Sequence, residues 1–249
     1  MKYSEYNDEI KKEIYEKYDH IAGIDEVGRG PLAGPVVTCA VIMKKDSHIV
    51  GVTDSKKLSR KKMLALKEKI IEDAIAVSYG YANSRKIDKL NIRQATLGAM
   101  KDALDNLETR PDIVLIDAER IDTDLPQVNI VKGDLNEYAI SCASILAKIK
   151  RDNIMINFAK IYPGYGFETN VGYGTKAHYA GLEKYGETPI HRQSFLRKFH
   201  ERQLSFIWRE KEKSGFLVKK SLPNIWRKMV TEFLEEIILN PLERLILSL

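Results

Sequence analysis

Apolar positions recur at every second residue in some stretches of the chain and at every third or fourth in others, and the switches mark out strands and helices. Ile21-Ala22-Gly23-Ile24 is short and apolar, and Pro35 to Met43 is a second β-rich run. Between them Gly28, Gly30, Pro31 and Gly34 are turn formers, so two neighbouring strands are expected. Ser59 is placed to cap a helix running to about Asp73, with Met63, Leu66, Ile70 and Ile71 on one stripe. Ile75 to Ala82 alternates like a strand. A second helix from about Asn91 to Leu107 turns Ile92, Ala95, Ala99 and Leu104 inward, and Asp112 to Asp117 follows as a continuously apolar strand that ends in an acid. Asn129-Ile130-Val131 is a further short strand, Gly133-Asp134 turns the chain, and Tyr138 to Ile161 is a long helix with Ile140, Ser144 and Ala147 on its packing face. Three antiparallel-looking strands followed by strand-helix alternation predict an α/β fold with a mixed sheet flanked by helices, rather than a fully wound parallel one.

A chain of 249 residues with 44% hydrophobic content can bury one substantial core, so one main domain is expected. The formal charge of +5 fits a polyanionic partner without demanding one. Cys39 and Cys142 both lie in apolar runs and read as small buried side chains, which excludes a disulfide framework and points to the reducing cytoplasm. The first twenty residues are charged and have no apolar core of a signal peptide. The run Ile237-Ile238-Leu239 is broken by Asn240, Pro241, Glu243 and Arg244, so no membrane span is expected.

The densest chemistry sits in Ile24-Asp25-Glu26-Val27-Gly28-Arg29-Gly30. Side chains alternate across a strand, so Asp25 and Glu26 should face opposite ways if both are in regular strand, and Glu26 is expected to be where regularity ends. Alone, the pair reads equally as a solvated turn. Partners come from Asp117, at the end of the second acidic strand, and from Asp134. Carboxylate oxygens suit Mg²⁺ or Mn²⁺, and no His or Cys cluster has zinc spacing. Acids gathered without a cation would repel one another and rise in pKa. Two ions could hold a phosphodiester, activate water and neutralise the leaving oxygen.

At these residues the chain resembles the bacterial ribonuclease HII family. IAGIDEVGRGPLAGPVVTCAVIM resembles the family's first two strands, DIVLIDA its second acidic strand, KGDLNEYAISCASILAKIKRD the fourth acid with its helix, and VGYGTKAHYAGLEKYGETPIHRQSF its closing motif. The shorter DSKKLS and NIRQAT segments fall between them in order, and the likeness spans roughly residues 20 to 200. It implies a ribonuclease H-like catalytic domain there; outside it, residues 1–19 read as a helical lead-in and residues 201–249 as a helical extension. It also implies an endonuclease, two-metal in mechanism, with Asp25, Glu26, Asp117 and Asp134 as metal ligands and catalytic acids. The expected reactions are cleavage of the RNA strand of RNA/DNA hybrids and incision 5′ of single ribonucleotides in duplex DNA. Both leave 3′-hydroxyl and 5′-phosphate ends, in the service of removing misincorporated ribonucleotides and RNA primers. By the same resemblance Gly28, Arg29 and Gly30 would read the 2′-hydroxyl through their backbone, and Tyr173 would lie against the neighbouring deoxyribose. A 2′-hydroxyl is the group that separates RNA from DNA, so rigid backbone donors are a sound reader.

Other residues carry two readings. Arg29 is a phosphate clamp or a brace on nearby carbonyls. Lys56 and Lys57 contact substrate backbone or simply face solvent. Arg151 and Asp152 read as a structural ion pair or hydrogen-bond anchor, outside the metal set; His191-Arg192, with Ser194-Phe195, reads as a structural latch. Glu119 and Asp122 read as solvated loop acids. Where the family commonly has Lys and Ser after the fourth acid, this chain has Asn136 and Glu137, and Glu137 is expected to repel phosphate. Residues 196–228 hold ten Lys/Arg against three Glu, with Phe199, Phe206, Trp208 and Trp226 interspersed, a pattern that fits nucleic-acid phosphates. Residues 229–249 are apolar and acidic and fit a weak protein partner. No interface stripe outside the tail stands against a monomer. The sister ribonuclease HIII group, a junction resolvase of the same fold and a hybrid-binding module without catalysis are the rival readings. The first of these usually lacks the arginine between the glycines.

Overall fold

Val27 still pairs with Val37, so the first strand runs through both acids instead of ending at Glu26: neighbouring β-branched residues keep the ladder intact up to the glycine turn. The computed structural model describes residues 6–213. In chain order the elements are α1 (Asp8–Lys17), β1 (Ile21–Val27), β2 (Val36–Met43), a 3-10 turn (Ser55–Lys57), α2 (Arg60–Asp73), β3 (Ala74–Ala82), α3 (Ser84–Leu90) and α4 (Ile92–Asp105). There follow β4 (Ile113–Asp117), β5 (Gln127–Ile130), α5 (Gly133–Asn136), α6 (Tyr138–Ile161), α7 (Phe167–Asn170), α8 (Lys176–Tyr185) and α9 (Gln193–Lys213). They fall into two compact units, Met1–Arg192 and Gln193–Leu249. The second unit contributes α9; the side chains of Phe206 and Trp208, Trp226 and the apolar stripe of residues 229–249 lie outside what is described.

The sheet has the order β3-β2-β1-β4-β5, antiparallel between β1, β2 and β3 and parallel from β1 through β4 to β5, which is the mixed sheet expected from the pattern. Two apolar layers cover it. On one face Cys39, Val41 and Met43 pack against Met63, Leu66 and Ile70 of α2 and Cys142, Leu146 and Ile149 of α6. On the other, Ala22, Ile24, Ala40, Ile42, Val114 and Ile116 pack against Met100, Ala103 and Leu104 of α4. Both cysteines are free and buried, and burial pushes the Cys142 thiol up to about 12. No helix among the described residues is long and apolar enough to cross a membrane.

Helix α6 occupies the range expected, yet its packing stripe is far wider: all nine residues from Ala139 to Ala147 are buried. It lies directly on β1, so close that a Cβ on Gly23 would stand 2.3 Å from the carbonyl carbon of Ala139. Only a residue without a side chain admits that approach.

Helix α1 is capped by Asn7, whose side chain accepts from the Ile10 N–H at 2.9 Å, and it carries Asp8 and Glu9 at its positive end. Its docking explains Glu137, which does not face the site. The Glu137 carboxylate is fully buried, accepts from the hydroxyls of Tyr6 and Tyr15, and pairs with Lys11 Nζ at 3.2 Å. The acid that was expected to repel phosphate is instead the anchor of the amino-terminal helix. Breaking such a buried charged network costs about 3 kcal/mol or more, which in a chain of this size lowers the melting temperature by roughly 10 °C. Glu137→Ala should show that loss in a thermal melt and Glu137→Gln a smaller one; an unchanged melt for Glu137→Ala would mean that α1 is not held this way.

Candidate active site

The two acids of β1 leave the strand on opposite faces, as the alternation requires. Asp25 shares the α6 face with Ile21 and Gly23, while Glu26 follows Ala22 and Ile24 toward α4. Asp25 is 5% exposed; its Oδ1 accepts from the Glu26 N–H at 2.7 Å, and the hydroxyl of Ser144 on α6 also reaches it. Ser144 Oγ lies 3.0 Å from Ser55 Oγ in the 3-10 turn, so the DSKKLS loop is tied to the first acid through two buried hydroxyls. Neither serine stood out in the sequence, where Ser144 was one small residue on a packing face.

Asp117 ends β4, the parallel neighbour of β1. Its Oδ1 accepts from the Gly133 N–H at 2.7 Å, which fixes α5, and with it Asp134, beside the strand end. Where a simple turn was expected at Gly133-Asp134 there is one helical turn, entered through Lys132 in the left-handed region and held by Asn136 Nδ2 donating to Val131 O. Lys56 Nζ then closes on Asp134 Oδ2 at 3.3 Å.

The four acids thus lie within one another's electrostatic reach. Burial pushes the Asp25 carboxyl well above its ordinary range, with Glu26 and Asp117 adding repulsion. Burial raises Glu26 to about 7, against the pull of Arg29. Asp117 is raised by burial, opposed by the Gly133 N–H, with Asp134 adding to the rise. Burial works against the charge of Lys56, but Asp134, Asp54 and Asp25 together raise its pKa.

Whether these residues fit a divalent metal can be judged from the donors. All are carboxylate oxygens, the set that hard cations take. Glu26 Oε2 is buried without a hydrogen-bond partner, and an orphaned anionic oxygen of that kind asks for a cation. As the side chains stand, no group of three or more His, Cys, Asp or Glu among the described residues is arranged to hold a metal ion. The protein's own cations sit on two of the acids instead: Lys56 on Asp134 and Arg29 Nη1 on Glu26 Oε1 at 3.5 Å. The donors fit a metal in kind, and Asp25, Glu26, Asp117 and Asp134 would hold it once those contacts loosen.

Arg29 corrects two expectations. Its guanidinium braces no carbonyl but bridges Glu26 and Glu119, the latter at 3.2 Å, and Glu119 is in turn gripped by Arg93 through Nε at 3.2 Å and Nη2 at 3.1 Å. Glu119 is therefore a buried site residue and not a solvated loop acid, because two arginines remote in sequence neutralise it; Asp122 is exposed as expected.

The carbonyl brace belongs to Arg192, which is fully buried. It donates to Gly28 O at 2.6 Å, Arg29 O at 2.9 Å and Gly34 O at 2.8 and 3.0 Å. Arg151, also fully buried, donates to Pro35 O, Val171 O and Ala33 O at 3.0, 2.9 and 3.3 Å. It does not pair with Asp152, which takes Lys148 Nζ at 2.6 and 2.7 Å. Gly28, at φ +100°, is forced to be glycine twice over: by its backbone angle and because a Cβ there would stand 2.1 Å from Arg151 Nε. The Arg151 bonds join the turn after β1 to the loop of Tyr173, and Leu32 N–H adds a bond to Gly172 O at 2.9 Å. The Tyr173 ring, nearly half exposed, is brought to the open side of Gly30, where a Cβ would lie 3.6 Å from its Cε1. Gly28, Arg29, Gly30, Lys56 and Tyr173 thus border the acids or one another.

The profile of the family described as Ribonuclease HII matches residues 22–198. The chain is 52% identical over 187 residues to a curated ribonuclease HII of Ligilactobacillus salivarius, covering 75% of this chain and 73% of that one. It is 56% identical over 175 residues to that of Enterococcus faecalis, covering 70% and 69%. Among solved structures, the ribonuclease H2 of Pyrococcus horikoshii superposes with a TM-score of 0.64 at 24% identity over 74% of this chain and 98% of that one. A ribonuclease HII of Archaeoglobus fulgidus, solved in complex with PCNA, does so at 0.60 and 22% over 70% and 94%; these two speak for the fold. Four clustered acids on a ribonuclease H-like sheet and this depth of shared sequence lead to one conclusion: the chain belongs to the ribonuclease HII family and is a metal-binding endoribonuclease of the ribonuclease H class, acting on RNA/DNA hybrids.

Proposed function

We propose that this is a cytoplasmic, monomeric enzyme that also incises duplex DNA on the 5′ side of single embedded ribonucleotides, leaving 3′-hydroxyl and 5′-phosphate ends. Removal of misincorporated ribonucleotides and RNA primers follows from that specificity. The observation that carries the reading is the approach of the Tyr173 ring to Gly30, beside the acids at the end of β1. With the carbonyls of Gly28 and Arg29 taken up by Arg192, what that stretch offers a ligand is N–H, a donor suited to a 2′-hydroxyl oxygen. An exposed aromatic ring next to it gives the following sugar an apolar face to rest on, which a ribose with its extra hydroxyl fits less well.

Asp25, Glu26, Asp117 and Asp134 act as ligands and catalytic acids. Two Mg²⁺ or Mn²⁺ ions held there would supply an activated water and neutralise the leaving oxygen. Lys56, with its amine largely exposed, moves from Asp134 to a substrate phosphate. The face beside it is built for the same partner: Lys57, Arg60, Lys61 and Lys62 are all exposed, and the first turn of α2 holds no acid. Cations at the positive end of a helix are unfavourable by themselves, and phosphates reverse that sign. The extension beyond residue 200 is proposed to take a weak protein partner.

Incubation with a labelled DNA duplex holding one ribonucleotide, beside all-DNA and continuous RNA/DNA duplexes, tests the specificity: metal-dependent cuts 5′ of the ribonucleotide with the all-DNA duplex intact are expected. Cutting of all-DNA junctions, or binding without cutting, would replace the reading with a resolvase or a binding module. Neutralising Arg60, Lys61 and Lys62 to Gln should reduce the slope of log affinity against log salt by about one for each phosphate that is no longer neutralised, with turnover at saturating substrate retained; an unchanged slope removes that face from the interface.

Asp25→Asn should lower the rate by roughly 10³-fold, the several kcal/mol that metal-held charge stabilisation contributes. In protein stripped of divalent ions the same change should raise the melting temperature. A carboxyl that titrates above its ordinary 3.8 when folded leaves the folded state binding more protons than the unfolded chain, so stability falls as pH rises through that window. The variant's advantage is therefore largest at neutral pH and vanishes as pH falls toward 3.8. Melts across pH in EDTA check it, and a less stable variant at pH 7 would show that Asp25 is not under that strain.

A further inference from the structure

Next to the Tyr173 loop two buried imidazoles meet end to end. His178 in α8 is fully buried and His191 is 2% exposed, and their Nε2 atoms are 3.0 Å apart. Phe167 and Tyr165 enclose both rings, with Phe167 edge-on to His178 at 5.1 Å between centroids. The outer nitrogens are committed. His191 Nδ1 faces the Thr188 N–H at 2.9 Å, a donor that cannot accept, so this nitrogen offers its lone pair and the His191 proton is on Nε2. That proton points at His178 Nε2, which must then accept, so the His178 proton is on Nδ1. His178 Nδ1–H donates to the backbone carbonyl of Tyr173 at 3.0 Å. One tautomer of each ring satisfies every bond, and burial, which lowers the pKa of both groups, keeps them neutral.

We infer that His178, set in its tautomer by His191, is a positioning residue for Tyr173: the Thr188–His191–His178 chain fixes the peptide that carries the ring and so governs how well the enzyme tells an RNA-to-DNA junction from continuous hybrid. The same carbonyl also accepts from the Thr175 N–H at 2.8 Å, which sets the turn but leaves its tilt open; the imidazole supplies the second direction. Neither ring touches the acids, so the chain acts on substrate choice and not on the chemical step. The inference rests on the reading of Tyr173 as the residue that meets the deoxyribose.

Two substitutions separate positioning from packing. In His178→Asn the amide nitrogen stands where Nδ1 was and still donates to Tyr173 O, while the link to His191 is broken. In His178→Gln the amide stands where Nε2 was, keeping the link to His191 and removing the bond to Tyr173. Both take the same ring from between Phe167 and Tyr165, so a purely structural role would affect them alike. The readout is the ratio of kcat/KM for a duplex with one ribonucleotide to that for a continuous hybrid. His178→Asn should stay within about threefold of wild type and His178→Gln should lose roughly tenfold, the net worth of one hydrogen bond to that carbonyl. Equal ratios for the two variants, with Tyr173→Ala shifting the ratio, overturn the role of His178 and leave that of Tyr173. A ratio that Tyr173→Ala does not move overturns both. Nitrogen-15 NMR of the unsubstituted protein gives a check that needs no variant: His178 should be protonated on Nδ1 and His191 on Nε2, and the reverse assignment overturns the chain.

Discussion

Two buried guanidinium groups hold the turn after β1 and the loop before Tyr173 together. Arg151 and Arg192 between them bond six backbone carbonyls, drawn from the turn after β1 and from the loop before Tyr173. Taking a charge out of water for neutral acceptors is costly. Burial accordingly lowers Arg151 to about 10 and Arg192 to about 9, the latter with help from Arg151. What that cost secures is relative placement: segments more than a hundred residues apart in the chain are locked in one geometry. The planar fork of arginine reaches several carbonyls at once, which a lysine ammonium could not do at fixed angles.

The acid cluster is arranged on the opposite logic. Its members have few donors, the Glu26 N–H and a serine hydroxyl for Asp25 and a peptide N–H for Asp117, and burial and mutual repulsion leave them under-compensated. Arg29 and Lys56 offset part of that charge from partly exposed side chains. A braced glycine turn and an incompletely neutralised acid centre share the end of β1, and α6 serves both: Ser144 meets Asp25 and Arg151 holds the turn, while Glu26 on the other face is paired by Arg29.

Much of this was legible in the chain because the signals were local. The strand-helix boundaries, the Ser59 cap, the range of α6 and the mixed sheet follow from periodicity and capping chemistry within a few residues. Helix α3 was missed because it is seven residues long, buries only Ser84 and Ile87, and abuts α4 through Asn91, which ends one helix and caps the next at positive φ. Of the site, the four acids and the glycine turn could be named from motif and type. What could not be read was pairing at a distance. Glu119 looks like any loop acid until Arg29 and Arg93 arrive from 90 and 26 residues away, and Ser144 looks like packing until Ser55 and Asp25 meet it. Glu137 had the sign of its effect inferred from its neighbour Asp134, whereas its side chain answers to Tyr6, Tyr15 and Lys11.

That last interaction bears on the order in which the molecule is assembled. Tyr6 and Tyr15 are made before the carboxylate they bind, which lies 131 and 122 residues later. Domains fold from the amino terminus as they are made, but α1 is too short to persist alone, and Ile14 shares its apolar cluster with Ile113, Leu115, Val128 and Ile140, all made later. The helix therefore waits on more than a hundred residues of later chain, and its docking, with both phenols and Lys11 closing on one buried acid, reports the arrival of the segment carrying Asp134.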